Sequence, residues 1–134
     1  MIKDIEFPEV KNIVVAVVLK TDLPDVREWE VYVINQNDFA IDQVLVTSRG
    51  YGEIDGESKK TSTLRHYLER VEAHSYAIIE PIQEDVFVLN NEYWLSFYHN
   101  GKMFDKKFLF TAGALDSNFL SDVPLMEKSG IVHP

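Results

Sequence analysis

Along most of the chain apolar and polar positions alternate with the period of a β-strand, in short runs separated by turn residues. One run breaks the alternation. Ile13 to Lys20 (IVVAVVLK) is apolar and β-branched almost throughout, which predicts a strand buried on both faces. Thr21 to Arg27 contains Pro24 and two aspartates and reads as a loop. Trp29 to Asn35 alternates, with Trp29, Val31 and Val33 on one face. Gln36-Asn37-Asp38 is a turn. Ile41 to Arg49 is a further strand, with Val44 and Val46 facing one way and Leu45 the other. Gly50 to Lys59 carries three glycines and several acids and reads as an exposed loop.

Thr61 to Val71 fits two periods. Leu64, Tyr67, Leu68 and Val71 make a helical stripe, whereas Leu64, His66 and Leu68 alternate against Arg65, Tyr67 and Glu69. The strand reading leads, because the stretch opens on threonine and serine and a turn at Glu72 to Ser75 leads into a new strand. Pro81 to Asn91 reads as irregular, with Val86, Phe87, Val88 and Leu89 tucked inward. Tyr93 to His99 and Lys102 to Phe110 form a hairpin about Asn100-Gly101, a pair suited to a two-residue type I′ turn. That loop sets the register, from His99 opposite Lys102 to Tyr93 opposite Phe108. Tyr93, Leu95, Phe97, Phe104 and Phe108 then share the core face, and Trp94, Ser96, Tyr98, Met103, Asp105 and Lys107 share the other.

These elements predict an all-β domain, an antiparallel two-sheet sandwich of immunoglobulin-like build. A small β-barrel with one short helix is the alternative. The domain is expected to span 1–110, with 111–134 an extended or disordered C-terminal tail, because that stretch is aperiodic.

Composition narrows the function. The 134 residues hold 13 Lys and Arg against 22 Asp and Glu, a net charge of −9, and no cysteine. The absence of cysteine excludes disulfides, thiolate metal sites and a cysteine nucleophile. The acidic balance opposes a phosphate backbone, so no nucleic-acid partner is expected. The longest apolar run, Ile13 to Leu19, is too short for a membrane helix, and no membrane partner is expected. Met1 to Glu6 lacks a basic stretch followed by an apolar one, so a cytoplasmic protein is expected.

Motifs for chemistry are missing. The histidines, at 66, 74, 99 and 133, have no HExxH spacing, and there is no GxSxG, Walker A or GxGxxG pattern. No catalytic residue, metal or cofactor is expected. Two surfaces stand out. Trp94, Tyr98 and Met103, gathered on the outer hairpin face, are residue types that concentrate binding energy at protein interfaces. Arg49, Arg65 and His66 could form a small anion site if the strands that carry them pair.

Three segments carry a resemblance. Val44 to Tyr51 (VLVTSRGY), Thr61 to His66 (TSTLRH) and Asn90 to Trp94 (NNEYW) with the following Asn-Gly hairpin are together similar to a family of small uncharacterised bacterial proteins. The resemblance covers Pro8 to Phe110. Some members carry the label phenylalanyl-tRNA synthetase alpha subunit, which implies an accessory role in translation. A class II synthetase subunit needs a large catalytic sheet with arginines for ATP, and this chain is short and acidic. The resemblance implies no catalytic residues, and none is carried over.

The leading expectation is therefore a non-enzymatic module that binds a protein partner or a second copy of itself through Trp94, Tyr98 and Met103. The rival is a small-anion-binding domain or enzyme using Arg49, Arg65 and His66.

Overall fold

A computed structural model of the chain describes residues 8–134. The reading of Met1 to Glu6 lies outside the described residues. The strands are β1 (Ile13–Leu23), β2 (Val26–Asn35), β3 (Ile41–Ile54), β4 (Glu57–Lys60), β5 (Leu64–Val71), β6 (Ser75–Ile82), β7 (Asn90–His99), β8 (Lys102–Phe110), β9 (Ser121–Asp122) and β10 (Ser129–His133). The first sheet runs β6-β2-β1-β10-β9. In the second, β3 pairs with β7 and β7 with β8, while β4 and β5 share the other side of β3 end to end. Every pairing among the described residues is antiparallel.

The chain crosses between sheets after β2, β5, β6 and β8, which builds a sandwich of immunoglobulin-like connectivity without a disulfide. The barrel alternative fails because, among the described residues, no strand pair joins one sheet to the other. Among the described residues, helical turns are confined to two 3-10 turns, Glu84–Val86 and Ser117–Phe119. Thr61 to Val71 contains a strand, not a helix. Among the described residues no helix is long and apolar enough to cross a membrane.

The inner faces follow the alternation. Val15 and Val17 of β1, Val31 and Val33 of β2, Val44 and Val46 of β3, and Tyr93, Leu95 and Phe97 of β7 meet in one core. The hairpin register runs as the Asn-Gly turn dictates, from His99 opposite Lys102 to Tyr93 opposite Phe108. Asn100 and Gly101 both take positive φ, 51° and 71°.

Three expected loops differ. Thr21 to Arg27 is mostly strand, because Pro24-Asp25 alone suffices to turn β1 into β2. Gly50 to Lys59 is exposed, yet it is a second tight hairpin. Asp55 and Gly56 take φ of 52° and 79° and pair Glu53 with Ser58. Its strands are polar on both sides, so no alternation betrays them. In the Pro81 to Asn91 stretch, Leu89 is buried and Val86 and Phe87 pack on the core, but Val88 is exposed.

The segment 111–134, expected as an extended or disordered tail outside the domain, is built into it. β10 pairs with β1, placing Gly130 opposite Val18 and Val132 opposite Ala16. Leu115 enters the main core, while Val123 and Met126 close over Val14, Ala16, Val18 and Ile34 on the outer side of the first sheet. A strand apolar on both faces needs a cover, and the tail supplies it. Gly130 makes the close approach possible: a β-carbon there would stand 2.5 Å from the Val17 carbonyl oxygen and 3.0 Å from a Val123 methyl.

Candidate functional site

Among the described residues the outer face of the second sheet has no such cover. Pairing sets its side chains in rows. Tyr67, Leu45, Ser96 and Asp105 cross the sheet in one row, and Arg65, Thr47, Trp94 and Lys107 in the next. Beyond these lie Arg49, Glu92 and Leu109 on one side, and Tyr98 and Met103 on the other. Trp94, Tyr98 and Met103 are 46%, 42% and 37% exposed, and Leu45 and Tyr67 are exposed beside them. For a tryptophan and a tyrosine on one sheet face this leaves much apolar area in water.

Polar contacts hold the patch flat. The Trp94 indole N–H donates to an Asp105 carboxylate oxygen across the hairpin. Lys107 lies 5.9 Å from the Trp94 ring centre, so a cation covers one side of the indole. Glu92, 5% exposed, accepts from Arg49 Nε at 2.9 Å and has Lys107 Nζ 3.8 Å away. Its carboxylate is thus held between two cations.

The expected anion trio is not brought together. Pairing of β3 with β5 sets Thr47 opposite Arg65, so Arg49 and Arg65 share the outer face and line one shallow depression with Thr47 and Trp94. Arg49, however, is already engaged by Glu92. His66 faces the other way. It neighbours Arg65 in a strand, and successive strand residues point to opposite faces. Its Nε2 lies 2.8 Å from Glu80 Oε1, and since a carboxylate only accepts, that nitrogen carries the proton.

Glu80 anchors a second polar cluster, set between the sheets. Ser48 Oγ donates to it at 2.5 Å and the Tyr93 hydroxyl at 3.4 Å. A bulge in β6 aims it there. Val31 pairs with Glu80 and Tyr32 with Ile78, so Ile79 is the extra residue. Burial, then the Glu80 charge and the hydrogen bond to it, push the Tyr93 hydroxyl well above the usual tyrosine range. Tyr93 therefore stays a neutral donor. Ser48 and His66 both point at the carboxylate rather than at each other, so no nucleophile–base pair is formed. The cluster ties β3, β5, β6 and β7 together. Among the described residues no three His, Cys, Asp or Glu side chains are grouped as a metal site requires.

Sequence reasoning missed Glu80, Glu92, Leu45 and Tyr67 as members of these clusters. Leu45 and Tyr67 could have been added to the outer face once the strand reading of Leu64 to Val71 was paired with β3. Glu80 could not, because a bulge leaves no mark in simple alternation. Comparison with protein-family models, curated proteins and solved structures finds no match for the chain.

Proposed function

We propose that the chain is a non-enzymatic β-sandwich that docks a protein through the outer face of its second sheet, with Trp94, Tyr98 and Met103 at the contact. The observation that carries this reading is the unequal covering of the two sheets. Among the described residues, β10, Val123 and Met126 are spent on the first sheet, while a tryptophan, two tyrosines, a leucine and a methionine stay exposed on the second. Partly exposed aromatics interleaved with Arg65, Lys107 and Asp105 have the composition of an interface.

The small-anion alternative is weaker on this geometry. Its arginine pair is divided by the Glu92 bond to Arg49, and its histidine lies inside the sandwich edge. A net charge of −9 still speaks against nucleic acid as the partner.

The test is the double variant Trp94→Ser/Tyr98→Ser, measured by chemical crosslinking in cell extract and by circular dichroism. Crosslinked product is expected to fall about tenfold or more, since an interface tryptophan contributes about 2 kcal/mol or more, with the fold retained. Unchanged crosslinking, or an unfolded variant, would count against the reading.

A further inference from the structure

We infer that the protein docked on this face is a second copy of the same chain, related by a twofold axis that crosses the strands between the two central rows. The inference rests on the docking reading above and names its partner.

The rows supply the reason. A contact between identical faces has its twofold axis in the plane of the contact, and each residue meets whatever the rotation brings over it. An axis running along the strands would set Arg65 over the partner's Lys107, a like-charge meeting of the kind interfaces avoid. An axis across the strands exchanges the two rows instead. Asp105 then meets the partner's Lys107, and by symmetry Lys107 meets the partner's Asp105. The same rotation brings the Arg65 guanidinium over the ring of the partner's Tyr67, a cation–π contact. At the centre, the Trp94 ring covers the small Ser96 of the other copy, and Leu45 lies on the methyl of Thr47. Bulky side chains thus meet small ones, and every charge in the two rows meets an opposite charge or a ring.

Two further features agree. Arg65 has no ion-pair partner within the chain among the described residues, so a partner's aromatic ring gives it its first contact of that kind. Strand addition at the free edge of β8, which borders this face, is opposed by Lys102, Lys106 and Lys107. Sheets packed face to face cross at about 30°, a displacement of a few ångströms that the lysine stem spans. Four strands about 4.8 Å apart and eight residues long at about 3.3 Å each give roughly 500 Å² per copy, the lower edge of specific interfaces. The dimer is therefore weak and concentration-dependent.

Sedimentation velocity of the full chain from ~1 μM to ~1 mM covers the range of such contacts. The wild type is expected to pass from monomer to dimer. Asp105→Lys and Lys107→Asp should each weaken the dimer about tenfold or more, and the combined D105K/K107D swap should restore it, because the swapped pair meets across the axis with signs exchanged. Ser96→Glu, which introduces bulk and charge beneath the partner's Trp94 without touching the Trp94–Asp105 bond, should block the dimer even if Asp105→Lys disturbs the fold. A dimer indifferent to all of these, or a swap that fails to restore it, overturns the inference. A wild type monomeric throughout also overturns it. In that case loss of crosslinking to a different protein in Ser96→Glu would leave the docking reading standing, and no crosslinked protein at all would sink both.

Discussion

The two outer faces of this sandwich begin from different sequences and end in different states. The first sheet is centred on β1, whose Val14, Ala16 and Val18 face outward and are as apolar as the inward Val15 and Val17. Such a face cannot be left to water, and Val123, Met126 and β10 close it, although Tyr76 and Ile78 on the edge strand β6 stay exposed. The second sheet is centred on β3 and β7, which alternate. Its outward Thr47, Arg49 and Ser96 keep that face wetted, so it can stand uncovered and still present Trp94 and Leu45. Over β1 the first face is closed by the chain itself. The second is left largely uncovered among the described residues.

Removal of the cover should produce the largest effect. A chain ending at Phe110 exposes Val14, Val18 and Ile34, each worth about 1.5–3 kcal/mol when fully buried, and also loses the strand hydrogen-bonded to β1. That sum rivals the whole stability of a domain this size. The shortened chain is expected to be unfolded or aggregated, as read by circular dichroism and light scattering. A cooperative melt near that of the full chain would mean that the tail is an accessory and that the contrast between faces is false.

A gentler break at the same cover is Gly130→Ala. The added methyl meets the Val17 carbonyl oxygen and a Val123 methyl, and backbone cannot yield as a flexible side chain can. A loss of about 1–3 kcal/mol is expected from overpacking, measured by urea denaturation. On the second sheet, Gly101→Val at the hairpin tip should cost about 1 kcal/mol or more, because the position has φ of 71° and open space around it. Strain without crowding is thus compared with crowding without strain.

How much of this was legible in the sequence follows from which signals are local. The Asn100-Gly101 turn and the alternation after it sufficed for the whole β7–β8 register and the sorting of its two faces, because a two-residue loop leaves no freedom of slip. The continuous apolar run in β1 announced burial on both faces, but not what would do the burying. The cover is a five-residue strand and a few separated side chains, too short to show a period. The polar Asp55-Gly56 hairpin had the right turn residues and no apolar alternation to support them. In the candidate site, Trp94, Tyr98 and Met103 were readable because they lie on one hairpin. Arg65 and His66 were grouped although strand neighbours must face apart, and Glu80 depended on a bulge that shifts the parity of β6.

The smallest expected effect gives the finest test of the comparison, since it uses two neighbours on one strand. Leu45 is exposed at the centre of the bare face, and Val46, the next residue, is fully buried. Leu45→Thr replaces an apolar side chain in water by one with high strand propensity, and only the methyls resting on neighbouring stems are lost. Its stability should stay within about 0.5 kcal/mol of wild type. Val46→Thr puts a hydroxyl of nearly the same volume in place of a buried methyl, beside Leu95 in the core, and should cost about 1–3 kcal/mol. The proposed dimer should respond in the opposite order. Leu45→Thr weakens it by taking an apolar contact from the middle of the interface, while Val46→Thr, as long as it folds, leaves the outer face unchanged. Urea melts and sedimentation on the same two samples read both quantities. If Leu45→Thr destabilises the fold as much as Val46→Thr does, the outer face of the second sheet is a second core, and the difference between the two faces disappears.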